Sequence, residues 1–244
     1  ITTFKKPSLD SNLVLYIKSN ETYNINTLLP FTSIEPILDS NNLILNIQSN
    51  AADGNTTFTD SSSPPHTITA IDNVQHITSQ KIFDYSSIYF DGTGDYLEIQ
   101  NSSDFDLGSN DFTIEFWINL SSYANYGVVI GQGVHGGATN ESSFVIGFEA
   151  VTGKIGFHYC IPPGNTVWTG SYSVESLNLN NWYHIAVCRD NSNIKLFING
   201  NLDYSYAINN QIHNSSMYPV KIGAFVDNDV GRTPIFHLNG YLDN

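Results

Sequence analysis

Basic residues are scarce in this 244-residue chain: 9 Lys and Arg stand against 23 Asp and Glu, a formal net charge of −14. No basic cluster offsets that field locally, so a phosphate backbone would be repelled and nucleic acid is excluded as a partner. The excess of carboxylates suits solubility, and equally suits a setting where calcium is plentiful. Cysteine is limited to Cys160 and Cys188. Two are too few for a disulfide framework and lack metal-ligand spacing, so a single bridge between nearby strands and two free, half-buried thiols both stay open. No run approaches the roughly 18 apolar residues that a membrane-crossing helix needs, and no membrane insertion is expected. The start Ile1-Thr2-Thr3-Phe4-Lys5-Lys6 has neither a methionine nor a signal-peptide core, and residues 236–244 stop within what reads as a final strand. The expectation is a mature product or an excised piece, with sequence beyond Asn244.

Several chemistries are missing as well. The Gly-rich loop at 131–137 has no Gly-Lys-Ser/Thr and no strand-to-helix context, so it is no phosphate cradle. The Ser and His residues form no nucleophile elbow. Glu141, Glu149 and Glu175 are isolated in sequence, and an enzyme would have to be assembled from distant positions.

What the chain does hold is strand-forming. Hydrophobic residues make up 41%, with 14 Tyr and 14 Phe among many Asn, Ser and Thr, a mixture of pleated strands and polar turns. The clearest stretch is 112–120, where Phe112, Ile114, Phe116, Ile118 and Leu120 point one way and Thr113, Glu115, Trp117 and Asn119 the other. Further strands are expected at 43–47, 66–71, 126–130, 144–149, 154–160, 167–174, 182–189, 194–198, 220–225 and 236–242. The turn Asp190-Asn191-Ser192-Asn193 marks a hairpin. About a dozen short strands without helical periodicity argue for an all-β, antiparallel two-sheet sandwich.

Residues 1–42 read as a lead-in or linker, or as the remnant of a preceding module, with the main domain at 43–244. The lead-in contains an echo: residues 9–20 (LDSNLVLYIKSN) return, with one residue inserted, as residues 38–50 (LDSNNLILNIQSN). A tandem array of related modules would leave such a trace; so would coincidence in a low-complexity background.

The ordered set Phe90-Asp91-Gly92, Asp95-Tyr96-Leu97, Asp111-Phe112-Thr113-Ile114-Glu115-Phe116-Trp117-Ile118, Trp182-Tyr183-His184-Ile185-Ala186-Val187, Leu196-Phe197-Ile198-Asn199-Gly200, Ile222-Gly223 and Gly240-Tyr241-Leu242-Asp243 resembles the laminin-G-like branch of the concanavalin A-like jelly rolls. The wording FDGTGDYL and DFTIEFW looks most like modules of bacteriophage and other viral surface proteins and of bacterial adhesins. The resemblance implies a jelly-roll β-sandwich at the cell exterior or on a virion surface. Glycosidases that share this fold usually carry a Glu-x-Asp-x-x-Glu run, which is absent here, so no enzyme is expected.

The resemblance also implies a structural calcium, with Asp243 on the last strand joining the loop around Gly92. Asp91 and Asp95 flank Gly92-Thr93-Gly94 and offer two carboxylates to one hard cation, or they cap turns by accepting from nearby amides. Asp227 and Asp229 sit in the loop before the last strand, where some laminin-G-like domains hold calcium at the ligand rim; a solvated turn is the other reading. For carbohydrate, flat rings beside amides and carboxylates are the relevant chemistry. Trp117 with Glu115 and Asn119 offers that set, Trp168 with Tyr172 presents rings in the same manner, and His135 can reach a ligand from its loop. Trp182 reads mainly as core or edge cover, and burial is an open alternative for Trp117. Three function classes follow: a non-catalytic module binding glycans or another cell-surface ligand; a structural virion, fibre or filament component with other subunits as partners; and, third, a glycoside-active enzyme.

Overall fold

The computed structural model describes residues 43–83, 85–123, 126–135, 141–162, 167–215, 217–227 and 233–243, and the backbone of 15–19. Among them are 19 strands, numbered β1–β19 along the chain. One sheet runs in the order β15 (Asn201–Ala207), β14 (Asn193–Ile198), β13 (Trp182–Asp190), β7 (Phe112–Leu120), β19 (Asn239–Asp243), β5 (Ser87–Asp91), β4 (Gln75–Ile77). Two more strands complete it. β1 (Leu15–Ser19) lies beside residues 112–115 of β7, and β2 (Leu43–Ile47) lies beside β1. Five residues of the expected lead-in therefore contribute a strand to the sandwich.

The second sheet runs β12 (Thr169–Tyr172), β11 (Ile155–Tyr159), β10 (Phe144–Phe148), β8 (Gly127–Gln132), β16 (Val220–Ile222), β6 (Tyr96–Ile99), β3 (Ile68–Ile71). Pairing in both sheets is antiparallel. A small third sheet joins β18 (Thr233–Ile235) to β17 (Phe225–Asp227) and, in parallel, β9 (Val134–His135). The architecture is an all-β jelly-roll sandwich.

The inward faces make one core. Phe112, Ile114, Phe116, Ile118 and Leu120 of β7 are buried with Ile185 and Val187 of β13, and with Phe144, Ile146 and Phe157 of the facing sheet. Each such side chain contributes about 1.5–3 kcal/mol by leaving water. The expected hairpin forms, with β13 and β14 joined across Asn191 and Ser192. Several expected strands are shorter or broken. Residues 167–174 keep only Thr169–Tyr172, and 220–225 splits at Gly223, whose φ of 92° turns the chain. The last run begins only at Asn239, because Phe236 adopts φ 57°. Cys160 and Cys188 are both free; burial pushes their thiols up to about 12 and about 11, so neither is a thiolate at neutral pH.

One buried carboxylate ties β2 to the loop that follows it. Asp60 accepts the backbone N–H of Asn46, Ser62 and His66 at 2.7–2.9 Å and the Ser62 hydroxyl at 2.7 Å. Burial alone would raise its pKa, but these donors together hold it below the ordinary 3.8. A depressed folded pKa adds stability above the unfolded value and loses it as pH falls through the folded one. Asp60→Ala should cost about 3 kcal/mol in urea unfolding at pH 7, since several buried donors lose their acceptor. That deficit should shrink below pH 3.8. A variant as stable as the parent at pH 7 would contradict this account of Asp60.

Candidate functional site

Because strand side chains alternate, each core-facing position fixes what its neighbours show to the outside. On the second sheet, Phe144 and Ile146 of β10 and Phe157 and Tyr159 of β11 point inward, so Val145, Gly147, Gly156 and His158 lie on the outer face. Register adds Gly131 and Lys221 opposite one another, and Tyr172 and Gly170 opposite Gly156 and His158. At Gly131 and Gly156 rings approach the strand closely, while at Gly147 and Gly170 neighbouring backbone does. A Cβ on Gly131 would fall 2.7 Å from the Phe225 ring, and one on Gly156 would fall 2.9 Å from Tyr172 and 3.0 Å from His158.

The result is an arc of rings over this face. His158 and Tyr172 lie 4.7 Å apart, and Trp168 meets Phe225 edge-on at 5.7 Å. Phe236 stands edge-on to both Tyr126, at 6.2 Å, and His135, at 5.5 Å. Tyr126 is 52% exposed. Burial lowers the pKa of His158, leaving a neutral imidazole; burial, then the Glu149 and Tyr126 charges, raises that of Tyr172, which keeps its proton. Lys221 pairs with Glu98 and lies 4.3 Å over the Tyr96 ring, so its charge is already neutralised. Rings with uncharged donors and acceptors suit a ligand bearing C–H faces and hydroxyls.

The sequence candidates fall on two opposite outer faces. Trp168, Tyr172 and His135 belong to this arc. Glu115, Trp117 and Asn119 lie across the sandwich, on the outer side of the nine-stranded sheet. There Glu115 contacts His184 at 3.4 Å, and Trp117 packs between His184, at 5.3 Å, and Phe83, at 5.9 Å. Asn119 pairs across with Trp182 and Tyr241 and is only 3% exposed. It has almost no surface to offer a ligand, which corrects its place in the expected set. His158, Tyr126 and Phe236, which join the arc, were not among the sequence candidates, and Phe225, only 3% exposed, packs against Trp168 rather than facing a ligand. The outward glycines of β8, β10 and β11 were the signal that could have found them.

The metal candidates do not converge. Asp95 is fully buried, accepting the backbone N–H of Asn73 at 2.9 Å and of Asp91 at 3.0 Å. Burial raises its pKa, opposed by those two bonds and reinforced by the Asp91 and Asp72 charges. Asp91 accepts from the Thr93 amide at 2.7 Å. These are the turn caps of the alternative reading, with Asp72 as an unforeseen third carboxylate. Asp243 is not beside them: Asn239 pairs with Asp91, and Asp243 lies four residues further, roughly 13 Å along the strand. It accepts instead from the amides of Ile82 and Phe83 at 2.8 and 3.4 Å, holding that loop over Trp117. Asp227 is buried in the third sheet beside His135, and Asp229 lies outside the described residues. Among the described residues, no group of three or more His, Cys, Asp or Glu is arranged to hold a metal ion.

A second feature is a cleft of about 300 Å³ between β2 and the start of β7, lined by Leu43, Ile44, Pro64, His66, Asp104 and Phe112 among others. His66 bridges Asp60 at 3.0 Å and Asp104 at 3.1 Å there. With both ring nitrogens engaged and no hydroxyl nucleophile on either, His66 is a structural link.

A laminin-G-type profile of the concanavalin A-like lectin/glucanases superfamily matches residues 91–244, well over half of the chain. The chain belongs to that superfamily. No curated protein sequence matches it. This concanavalin A-like fold is similar to that of several solved structures. One is the binding domain of Paraclostridial Mosquitocidal Protein 1, at 16% identity and TM-score 0.57, covering 84% of this chain and 47% of that one. The botulinum neurotoxin serotype G binding domain matches at 15% identity and TM-score 0.56, covering 82% and 47%. Domain 4 of AbnA, an extracellular arabinanase from Geobacillus stearothermophilus in complex with arabinotriose, matches at 15% and 0.53, covering 75% and 82%. The concanavalin A-like chain spans about half the length of the two toxin domains.

Proposed function

We propose that the chain is a non-catalytic extracellular module that binds glycans, or another cell-surface ligand, through the outer face of the seven-stranded sheet. The observation that carries the reading is the ring arc of Trp168, Tyr172, His158 and Tyr126 over a floor of glycines. Further support comes from neighbours of the same fold: two are toxin binding domains, and one holds arabinotriose. The described carboxylates of this face favour a binding role over hydrolysis, since Glu98 pairs with Lys221 and Glu149 accepts from the Thr152 hydroxyl. The same module on a virion surface, or as a fibre or filament subunit, is the second reading, favoured by the echo between residues 9–20 and 38–50.

Retention on immobilised glycans tests the first reading. Trp168→Ala should weaken it about 30-fold, the loss of roughly 2 kcal/mol that a central aromatic anchor supplies. Trp117→Ala, on the opposite face, should leave it unchanged. Loss with Trp117→Ala and none with Trp168→Ala would move the site to the nine-stranded sheet.

A structural calcium is proposed only for the turn of Asp91 and Asp95, where the two carboxylates and neighbouring backbone carbonyls would supply its oxygen ligands. Millimolar calcium should then raise the melting midpoint of the parent but not of Asp91→Asn. No shift in the parent removes the proposal.

A further inference from the structure

Among the described residues, β2 joins the nine-stranded sheet through one neighbour. It pairs with β1, and β1 in turn pairs with β7, from Tyr16 opposite Glu115 to Ser19 opposite Phe112. Residues 15–19 thus fill a slot between two strand edges. Emptied, the slot would expose two rows of unpaired N–H and C=O groups, a ready template for another strand.

The occupant and its neighbour are similar in sequence. With one residue inserted, residues 9–20 recur as 38–50, so Leu15, Tyr16 and Ile17 correspond to Leu45, Asn46 and Ile47. The observed register pairs Leu15 with Ile47, Tyr16 with Asn46 and Ile17 with Leu45. Over these three pairs each strand meets its counterpart, antiparallel, about a local two-fold axis at the Tyr16–Asn46 pair, until a bulge at Ile17/Lys18 sets Lys18 opposite Leu43. That resembles an isologous contact, here realised within one chain between two similar strands, LYIKS and LNIQS.

Connectivity does not oblige the slot to be filled from within. β13 and β14 are joined across two residues, Asn191 and Ser192, which only the same chain can satisfy. Between β1 and β2 lie residues 20–42, a length that spans up to about 80 Å when extended. The same ladder can form with a β1 from elsewhere, provided its local concentration matches that of the tethered strand, on the order of millimolar.

We propose that this slot is a strand-exchange site and that its partner is a second copy of the chain. Reciprocal exchange of β1 closes a two-fold dimer without any new contact, and displayed side by side, as in an array, neighbouring copies reach the concentration at which exchange competes. This inference stands apart from the glycan reading, since it uses neither the ring arc nor the outer face of the second sheet.

Antiparallel partners lie about 4.5–5.5 Å apart at Cα, within disulfide reach, so cross-linking tests the proposal. In a Cys160→Ala, Cys188→Ala background, one full-length chain carries Tyr16→Cys and a second, tagged chain carries Asn46→Cys. The two are mixed from about 10 μM to about 1 mM, near the tethered strand's effective concentration, and oxidised after equilibration. The expected product is a disulfide-linked heterodimer that grows with concentration and is suppressed by excess synthetic peptide of residues 9–20. The chain carrying both cysteines should close on itself at the lowest concentration. Closure within the double variant with no heterodimer at any concentration would overturn the proposal. So would a heterodimer indifferent to the peptide, or a double variant that fails to close.

Discussion

The alternation along β7 is the constraint on which the other features depend. A strand has a side-chain period of two, so burying Phe112, Ile114, Phe116, Ile118 and Leu120 turns Thr113, Glu115 and Trp117 outward, and a slip of one residue would exchange the sets. β7 also sits where pairing is heaviest. β13 runs along one edge for eight residue pairs, while β19 and β1 share the other. Anchored this way, the core dictates which side chains every neighbouring strand can show.

The second sheet obeys the same rule with a different outcome. Its inward positions are large, and several of its outward positions are glycine, so rings from β12 and β17 come close to the strands. A neutral His158 and a protonated Tyr172 then keep hydrogen-bonding capacity without charge. On the nine-stranded sheet the outward positions are filled by Trp117, His184, Trp182 and Tyr241, and the loop tied down by Asp243 packs against them. The two faces differ in what covers them rather than in how many aromatics they hold.

That difference explains which parts were legible in the sequence. β7 and the β13–β14 hairpin were readable because their alternation and turn chemistry are local. Thr169–Tyr172 has no apolar alternation of its own and is a strand only because β11 pairs with it. The lead-in strand β1 was obscured because its partners lie about 30 and 100 residues away, and long-range pairing leaves little local trace. Trp168, Tyr172 and His135 could be chosen as candidates by type, yet sheet order decides that they share one face while Trp117 is on the other. The expected Asp243 link failed for a similar reason: antiparallel pairing of β19 with β5 sets Asn239, rather than Asp243, opposite Asp91.

The chain has three tryptophans, one in the ring arc and two on the opposite face, and each gives one indole N–H resonance. Following those three signals while titrating the labelled protein with neutral oligosaccharides tests the central claim directly. Saturable movement of the Trp168 signal, with Trp117 and Trp182 unmoved, is the predicted result; movement of Trp117 or Trp182 while Trp168 stays fixed would contradict it.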